Sequence, residues 1–205
     1  MSAQRYAYDS AEPAWADGYI TCKLIRALRA NGQTRRVLDA GSGNGNLTAR
    51  LSAEGFHMTG FDASPTGVEH ARAAHPGIRF EVASAYEDLC QRFGEHFDAC
   101  VSVEVIEHLY DPRAFVSRVF SLLRPGGLFV VTTPYHGYVK NLVLALSGRM
   151  DNHYTALWDG GHIKFWSRKT LTSLLRECGF EVIHFQGAGR IPLLWKSMIV
   201  TARKP

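Results

Sequence analysis

The stretch that most constrains this chain is Val37-Leu38-Asp39-Ala40-Gly41-Ser42-Gly43-Asn44-Gly45-Asn46. An apolar strand from Arg36 to Leu38 runs into a turn with glycine at alternate positions, and a helix is expected from about Leu47. Glycines so spaced let the backbone turn sharply and approach a ligand without Cβ clashes. The helix that follows aims its N-terminal amides and its dipole at the same spot. Such a strand, loop and helix place a ligand site at the carboxyl end of the first strand of an open α/β sheet.

The residues narrow the ligand. A dinucleotide fingerprint reads G-x-G-x-x-G, but here the third glycine comes one place early and Asn46 stands where Gly or Ala is wanted. Asp39, two residues before the first glycine, would repel a pyrophosphate and attract a cationic amino group. Asp62 ends the next apolar segment, 62 − 39 = 23 residues on, where an acid accepts hydrogen bonds from ribose hydroxyls. A ligand with a ribose and an ammonium group but no phosphate fits S-adenosyl-L-methionine.

The rest of the chain repeats the alternation. Trp15 to Ala30 reads as a helix with Tyr19, Ile20, Leu24, Ile25 and Leu28 on one stripe, after a polar, mobile stretch over 1–13. Strands are expected at Phe56–Phe61, Ile78–Val82, Phe97–Ser102, Leu128–Thr132, Phe180–Gln186 and Leu194–Ala202. Ser64-Pro65, Asp111-Pro112 and Ser167 are N-caps of helices between them, and Arg124-Pro125-Gly126-Gly127 is a turn. The sheet is therefore mostly parallel, with helices on both faces in three layers. From Pro134 to Trp166 the pattern breaks, apart from a short helix over Val139–Leu146. The stretch carries Tyr135, His136, Tyr138, His153, Tyr154, Trp158, His162, Phe165 and Trp166. Long insertions of this kind are usually functional; the alternative is a surface excursion with a small core of its own.

After the fourth strand comes Val103-Glu104-Val105-Ile106-Glu107-His108. In a helical turn Glu104, Glu107 and His108 share one face. Two carboxylates and an imidazole so placed need protons or a counter-charge. A divalent metal, Mg²⁺, Mn²⁺, Fe²⁺ or Zn²⁺, suits these ligands, with His162 as a fourth. The competing reading makes His108 a general base. His57, His70, His75, His96 and His184 look like surface residues.

VLDAGSGNG, GFDAS and LLRPGGLFVVTTP together resemble the motifs of class I S-adenosylmethionine-dependent methyltransferases, over nearly the whole chain. The segment E-x-x-E-H resembles two groups within them, the catechol O-methyltransferases of ubiquinone biosynthesis and the metal-dependent small-RNA ribose 2′-O-methyltransferases. The resemblance implies a Rossmann-like seven-stranded sheet with one antiparallel edge strand. It implies cofactor contacts from Asp39, Gly41, Ser42, Gly43, Gly45 and Asn46, from Asp62 and Ala63, and from Val103 and Glu104. Relatives place an Asp near Ser84 for the adenine amino group; with serine there, the contacts fall to Ser84, Ala85 and Tyr86 through a hydroxyl or backbone. It also implies that residues 1–32 lid the cofactor and 134–166 the substrate.

At 205 residues one domain is expected over 1–205. The 46% hydrophobic and 20% charged composition is that of a soluble protein. A net charge of +4 without a basic tract disfavours nucleic acid, leaving a small-molecule partner and O-methylation of a small hydroxylated metabolite, aromatic or not, as the expectation. RNA ribose methylation and a non-catalytic cofactor-binding relative are the alternatives; the intact glycine loop and acids argue against the latter. Cys22, Cys90, Cys100 and Cys178 are scattered, MSAQRYAYDS has no signal region and no apolar run is long enough to span a bilayer, so the expected compartment is the cytoplasm.

Overall fold

The computed structural model describes residues 17–94 and 96–205. The mobile stretch expected over 1–13 and the start of the helix expected from Trp15 lie outside the described residues. Seven strands form one sheet: β1 (Arg36–Ala40), β2 (His57–Asp62), β3 (Arg79–Val82), β4 (Phe97–Val103), β5 (Leu123–Pro134), β6 (Glu181–Ala188) and β7 (Ser197–Arg203). The order across the sheet is β3-β2-β1-β4-β5-β7-β6. The antiparallel pairing expected at one edge is there, because β7 runs against both β5 and β6. The reversed strand itself lies one place in from that edge, and β6 is outermost.

The helices are α1 (Asp17–Arg29), α2 (Asn46–Ala53), α3 (Pro65–Ala74), α4 (Leu89–Phe93), α5 (Pro112–Leu122), α6 (Tyr138–Leu146), α7 (Met150–Tyr154) and α8 (Arg168–Glu177). Side chains alternate across each strand. Val37, Ala99, Val101, Val130 and Ile199 face one way, onto Ile20, Leu24 and Leu28 of α1 and Leu47 and Leu51 of α2. Leu38, Cys100, Phe129, Val131 and Val200 face the other, onto Phe115 and Val119 of α5 and Leu171 and Leu175 of α8. Both faces of β4 are therefore covered, which is why six of its seven residues are buried and all but Asp98 and Ser102 are apolar.

The expected caps are in place. Ser64 accepts from the Gly67 amide ahead of Pro65, Asp111 accepts from the Ala114 amide ahead of Pro112, and Ser167 forms a capping box with Thr170. The turn expected at Arg124–Gly127 is absorbed into the start of β5 as a bulge, where the β4–β5 register shifts between Phe97 and Ala99. Gly126 takes a φ of 77° there and its amide bonds the Lys204 carbonyl at 2.9 Å.

From β1 the chain winds outward through β2 to β3, and from β4 it winds the other way to β5. The reversal opens a crevice between the carboxyl ends of β1 and β4, where doubly wound sheets take their ligands.

Candidate active site

The glycine loop leaves β1 at that crevice. Gly41 and Ser42 both donate to the Phe61 carbonyl at 2.9 Å, pinning the loop to β2. Gly41, Gly43 and Gly45 all take positive φ, at 90°, 52° and 82°. A Cβ on Gly41 would stand 2.3 Å from Val105 Cγ2, and one on Gly45 2.9 Å from the Phe80 ring. Asp39 is buried, and its carboxylate accepts from the Thr48 hydroxyl of α2 at 2.6 Å. Asp62 accepts from the Gly43 amide at 2.9 Å and the Ser64 amide at 2.8 Å, one on each oxygen. Burial raises its pKa and these amide bonds oppose the rise. A carboxylate can accept about four bonds, so the Asp62 side chain keeps acceptor capacity for a hydroxyl donor beside the amides of Ser64, Gly43 and Ala63. Asn46 opens α2 with its side-chain amide 3.1 Å from Asn44 Oδ1, and Ala63 is exposed beside Asp62.

Ser84 and Ala85 follow β3 as half-buried turn residues. The Ser84 hydroxyl accepts from the Tyr86 amide at 3.2 Å, and its amide donates to Glu87 at 3.0 Å, so the serine shapes the turn that the family pattern gives to an acid.

The segment after β4 departs from the expected helical face. Val103 closes the strand, and Glu104 has a φ of 54°, which a right-handed helix cannot include. Only Ile106–His108 form a helical turn, of the tighter 3₁₀ type. Glu104 therefore swings towards β5. The Thr132 hydroxyl donates to its carboxylate at 2.9 Å and accepts from its amide at 3.2 Å. Burial lifts its pKa to about 7, eased by bonds to Thr132 and Ser197. The other two residues do converge with the distant histidine. Ligand atoms of Glu107, His108 and His162 all lie within 4.8 Å of one another, and Glu104 is not of this group.

Glu107 is 0% exposed, and neither carboxylate oxygen makes a close hydrogen bond; the Thr133 hydroxyl and its own backbone amide ease its charge only weakly. Burial first, then Glu104, pushes its carboxyl well above the ordinary range. His162 Nε2 stands 3.9 Å from its Oε1. Burial, then the neighbouring His108 and His153, holds His162 down to about 4. His108 Nδ1 lies 3.0 Å from the Gly160 carbonyl. A carbonyl only accepts, so Nδ1 carries the proton and Nε2 is the acceptor nitrogen. Burial lowers the His108 pKa too.

The 134–166 stretch holds this arrangement from above. Ile163 and Lys164 amides donate to the Glu107 carbonyl at 2.9 and 3.0 Å, and Trp166 Nε1 to the Ile106 carbonyl at 3.4 Å. The Trp158 ring meets His108 and His162 edge-on, with centroids 5.9 and 5.5 Å away. His136, Tyr154 and Phe165 pack together beside them, so the insertion has a small core of its own as well. Thr48, Thr132 and Ser197, which hold the site's acids, carried no signal in the sequence: a buried hydroxyl in a strand or helix looks like any other.

A methyltransferase-domain family model matches residues 14–185. A ubiquinone biosynthesis O-methyltransferase of Cereibacter sphaeroides is 28% identical over 172 residues, 81% of this chain and 68% of that relative. One from Methylobacterium nodulans is 31% identical over 163 residues, 77% of this chain and 64% of that relative. Among solved structures, magnesium protoporphyrin IX methyltransferase of Synechocystis PCC 6803, with bound S-adenosylhomocysteine, superposes with a TM-score of 0.69 at 18% identity, over 90% of this chain and 82% of the other. An N-methyltransferase of Bradyrhizobium japonicum, also with S-adenosylhomocysteine, gives 0.66 at 18%, over 90% and 85%. The chain belongs to the S-adenosylmethionine-dependent methyltransferases, and it is an enzyme using that cofactor. Among the described residues no helix is long and apolar enough to cross a membrane.

Proposed function

We propose that this methyltransferase places the methyl group on a hydroxyl oxygen of a small, hydroxylated aromatic acceptor. The observation that carries the reading is the fully buried Glu107 carboxylate clustered with His108 and His162, beside the Trp158 ring. The names of the ubiquinone-biosynthesis relatives support oxygen as the receiving atom. The sulfonium methyl is already activated, so the protein's work is to hold the oxygen in line with it, away from water, and to take up the hydroxyl proton. The insertion is hydrogen-bonded to the Ile106 and Glu107 carbonyls, and its closure over a bound acceptor would exclude water. Its aromatic rings offer flat surfaces to a flat acceptor. His108, held neutral by burial with its proton on Nδ1, presents Nε2 as the proton acceptor.

The same donor set fits a divalent cation. A buried carboxylate with so little hydrogen bonding is costly, and a cation offsets that cost. Glu107, His108 and His162 would hold it, and two neutral imidazoles favour Fe²⁺ or Zn²⁺ over Mg²⁺. When bound, such an ion lowers the pKa of a hydroxyl at the site. His108 Nε2 cannot ligate and accept a proton together, so chelation separates the two versions.

The test is transfer of a labelled methyl group to catechol, monophenols, hydroxy acids and a small RNA, with and without EDTA. The reading expects label on the aromatic hydroxyl, loss in EDTA and recovery with one class of ion. Full activity in EDTA, with no metal by elemental analysis, leaves His108 as the base. Label on RNA or on amines alone would end the reading.

A further inference from the structure

Helix α6 is inside out. Tyr138, Leu142 and Leu146 are 85%, 47% and 81% exposed, and the residue the helix buries is Lys140, 4% exposed. Lysine is almost never buried so deeply without a partner. Lys140 has no carboxylate within ion-pair distance among the described residues. Among the described residues its hydrogen bond goes to the Lys196 carbonyl at 3.5 Å, the weak end of the range. Glu104, the carboxylate that acts on it, is already engaged by Thr132, and Arg190 adds a second positive charge nearby. Burial and Arg190 bring Lys140 down to about 8, which leaves it mostly charged at neutral pH.

The amine's position follows from the sheet. The Lys196 carbonyl also accepts from the Tyr135 amide, and the next residue, Ser197, pairs with Pro134. Lys140 Nζ therefore stands over the carboxyl end of β5 and the start of β7. Across the same edge the glycine loop leaves β1, and Glu107 and His108 follow β4. The order is cofactor loop, then the histidine and carboxylate group, then the buried cation. An acceptor laid across the carboxyl ends of β4 and β5 would meet the His108 side first and Lys140 at its far end.

We propose that Lys140 binds a carboxylate carried by the acceptor, so that the preferred substrates are hydroxyaryl acids; this rests on the hydroxyl-transfer reading above. An anion at Lys140 supplies the charge-assisted hydrogen bond the amine lacks and relieves its repulsion with Arg190. Lys140 is then a specificity-determining residue, distinct from the group that takes the proton.

The experiment compares 3,4-dihydroxybenzoate with its methyl ester, using the full chain with cofactor. The wild type should prefer the acid in kcat/KM. Lys140→Met should lower the acid-to-ester ratio roughly ten- to a hundredfold, the scale of a hydrogen bond to a charged group, and Lys140→Arg should keep part of it. A ratio unchanged in Lys140→Met overturns the proposal. S-adenosylhomocysteine titrated into the same variants checks the fold and the other source of a carboxylate. Affinity lost there would assign the lysine to the cofactor's own carboxylate and refute the proposal. If neither probe is methylated, the hydroxyl-transfer reading is decided by its own acceptor screen. Calorimetric binding of acid and ester to the S-adenosylhomocysteine-loaded protein then decides Lys140 by the same ratio, and no binding of either probe overturns the proposal.

Discussion

Glu107→Gln should have opposite effects on stability with and without a divalent ion. In the ion-free protein the Glu107 carboxyl is fully buried, and neither oxygen makes a close hydrogen bond. Burial raises its pKa, and each unit of such a rise costs about 1.4 kcal/mol once the pH is above the folded value. The sign is that of a carboxyl favoured in its protonated form: stability is kept below the unfolded pKa and lost as pH rises through the folded one. Glutamine has the same shape without the charge, so in EDTA near pH 8 the variant should melt at or above the wild type. A bound ion reverses the order. At a hundred times its dissociation constant it stabilises the wild type by about 2.7 kcal/mol, roughly 5–11 °C in a chain of this length. Glu107→Gln removes the one anionic ligand of the group, and most of that shift should go with it. Differential scanning calorimetry in EDTA and then in Zn²⁺, Fe²⁺, Mn²⁺ or Mg²⁺ reads both halves. A wild type whose melting ignores every ion, or an equal shift in both proteins, would refute the metal argument.

Three further outcomes follow from the geometry. Asp62→Ala should weaken S-adenosylhomocysteine binding by about 1–3 kcal/mol, because it removes the acceptor and frees the Gly43 and Ser64 amides; calorimetry with an unchanged constant would remove Asp62 from the site. Thr48→Val should destabilise the fold by about 1–3 kcal/mol by stripping the 2.6 Å donor from buried Asp39, read as a lower urea midpoint at constant slope. Residues 134–166 should gain hydrogen-exchange protection only when cofactor and acceptor are both bound; equal protection throughout would make the stretch a surface excursion.

Much of the scaffold was legible because its signals are local. Ser64-Pro65, Asp111-Pro112 and Ser167 start their helices by bonding the amide three residues on, and the glycine loop carries its backbone requirement in its own residues. The short helix expected over 139–146 formed, at Tyr138–Leu146. Its orientation was not legible. Periodicity finds an apolar stripe but assumes the stripe faces inward, and here Lys140 does. The place of β7 between β5 and β6 was hidden for a similar reason, since strand order is settled by long-range pairing and not by the pattern within a strand. Residues 124–127 carried true turn chemistry, yet the pairing of β5 with β4 runs through them as a bulge.

The largest correction concerns the two acids of E-x-x-E-H, and it yields a prediction of its own. Helical spacing puts Glu104 and Glu107 on one face, and that made both of them ligands of one ion. The left-handed backbone at Glu104 cancels the spacing: a single residue at φ 54° turns its side chain to Thr132 and leaves Glu107 with His108 and His162. Such a conformation costs a non-glycine residue of order 1–3 kcal/mol, and the paired bonds to Thr132 offset it. The acids should therefore separate on substitution. Glu104→Gln keeps a side chain that accepts from Thr132, so the ion-induced rise in melting temperature should survive it, whereas Glu107→Gln should erase the rise. Loss of the rise in both variants would restore Glu104 as a ligand and show that the loop rearranges around the ion.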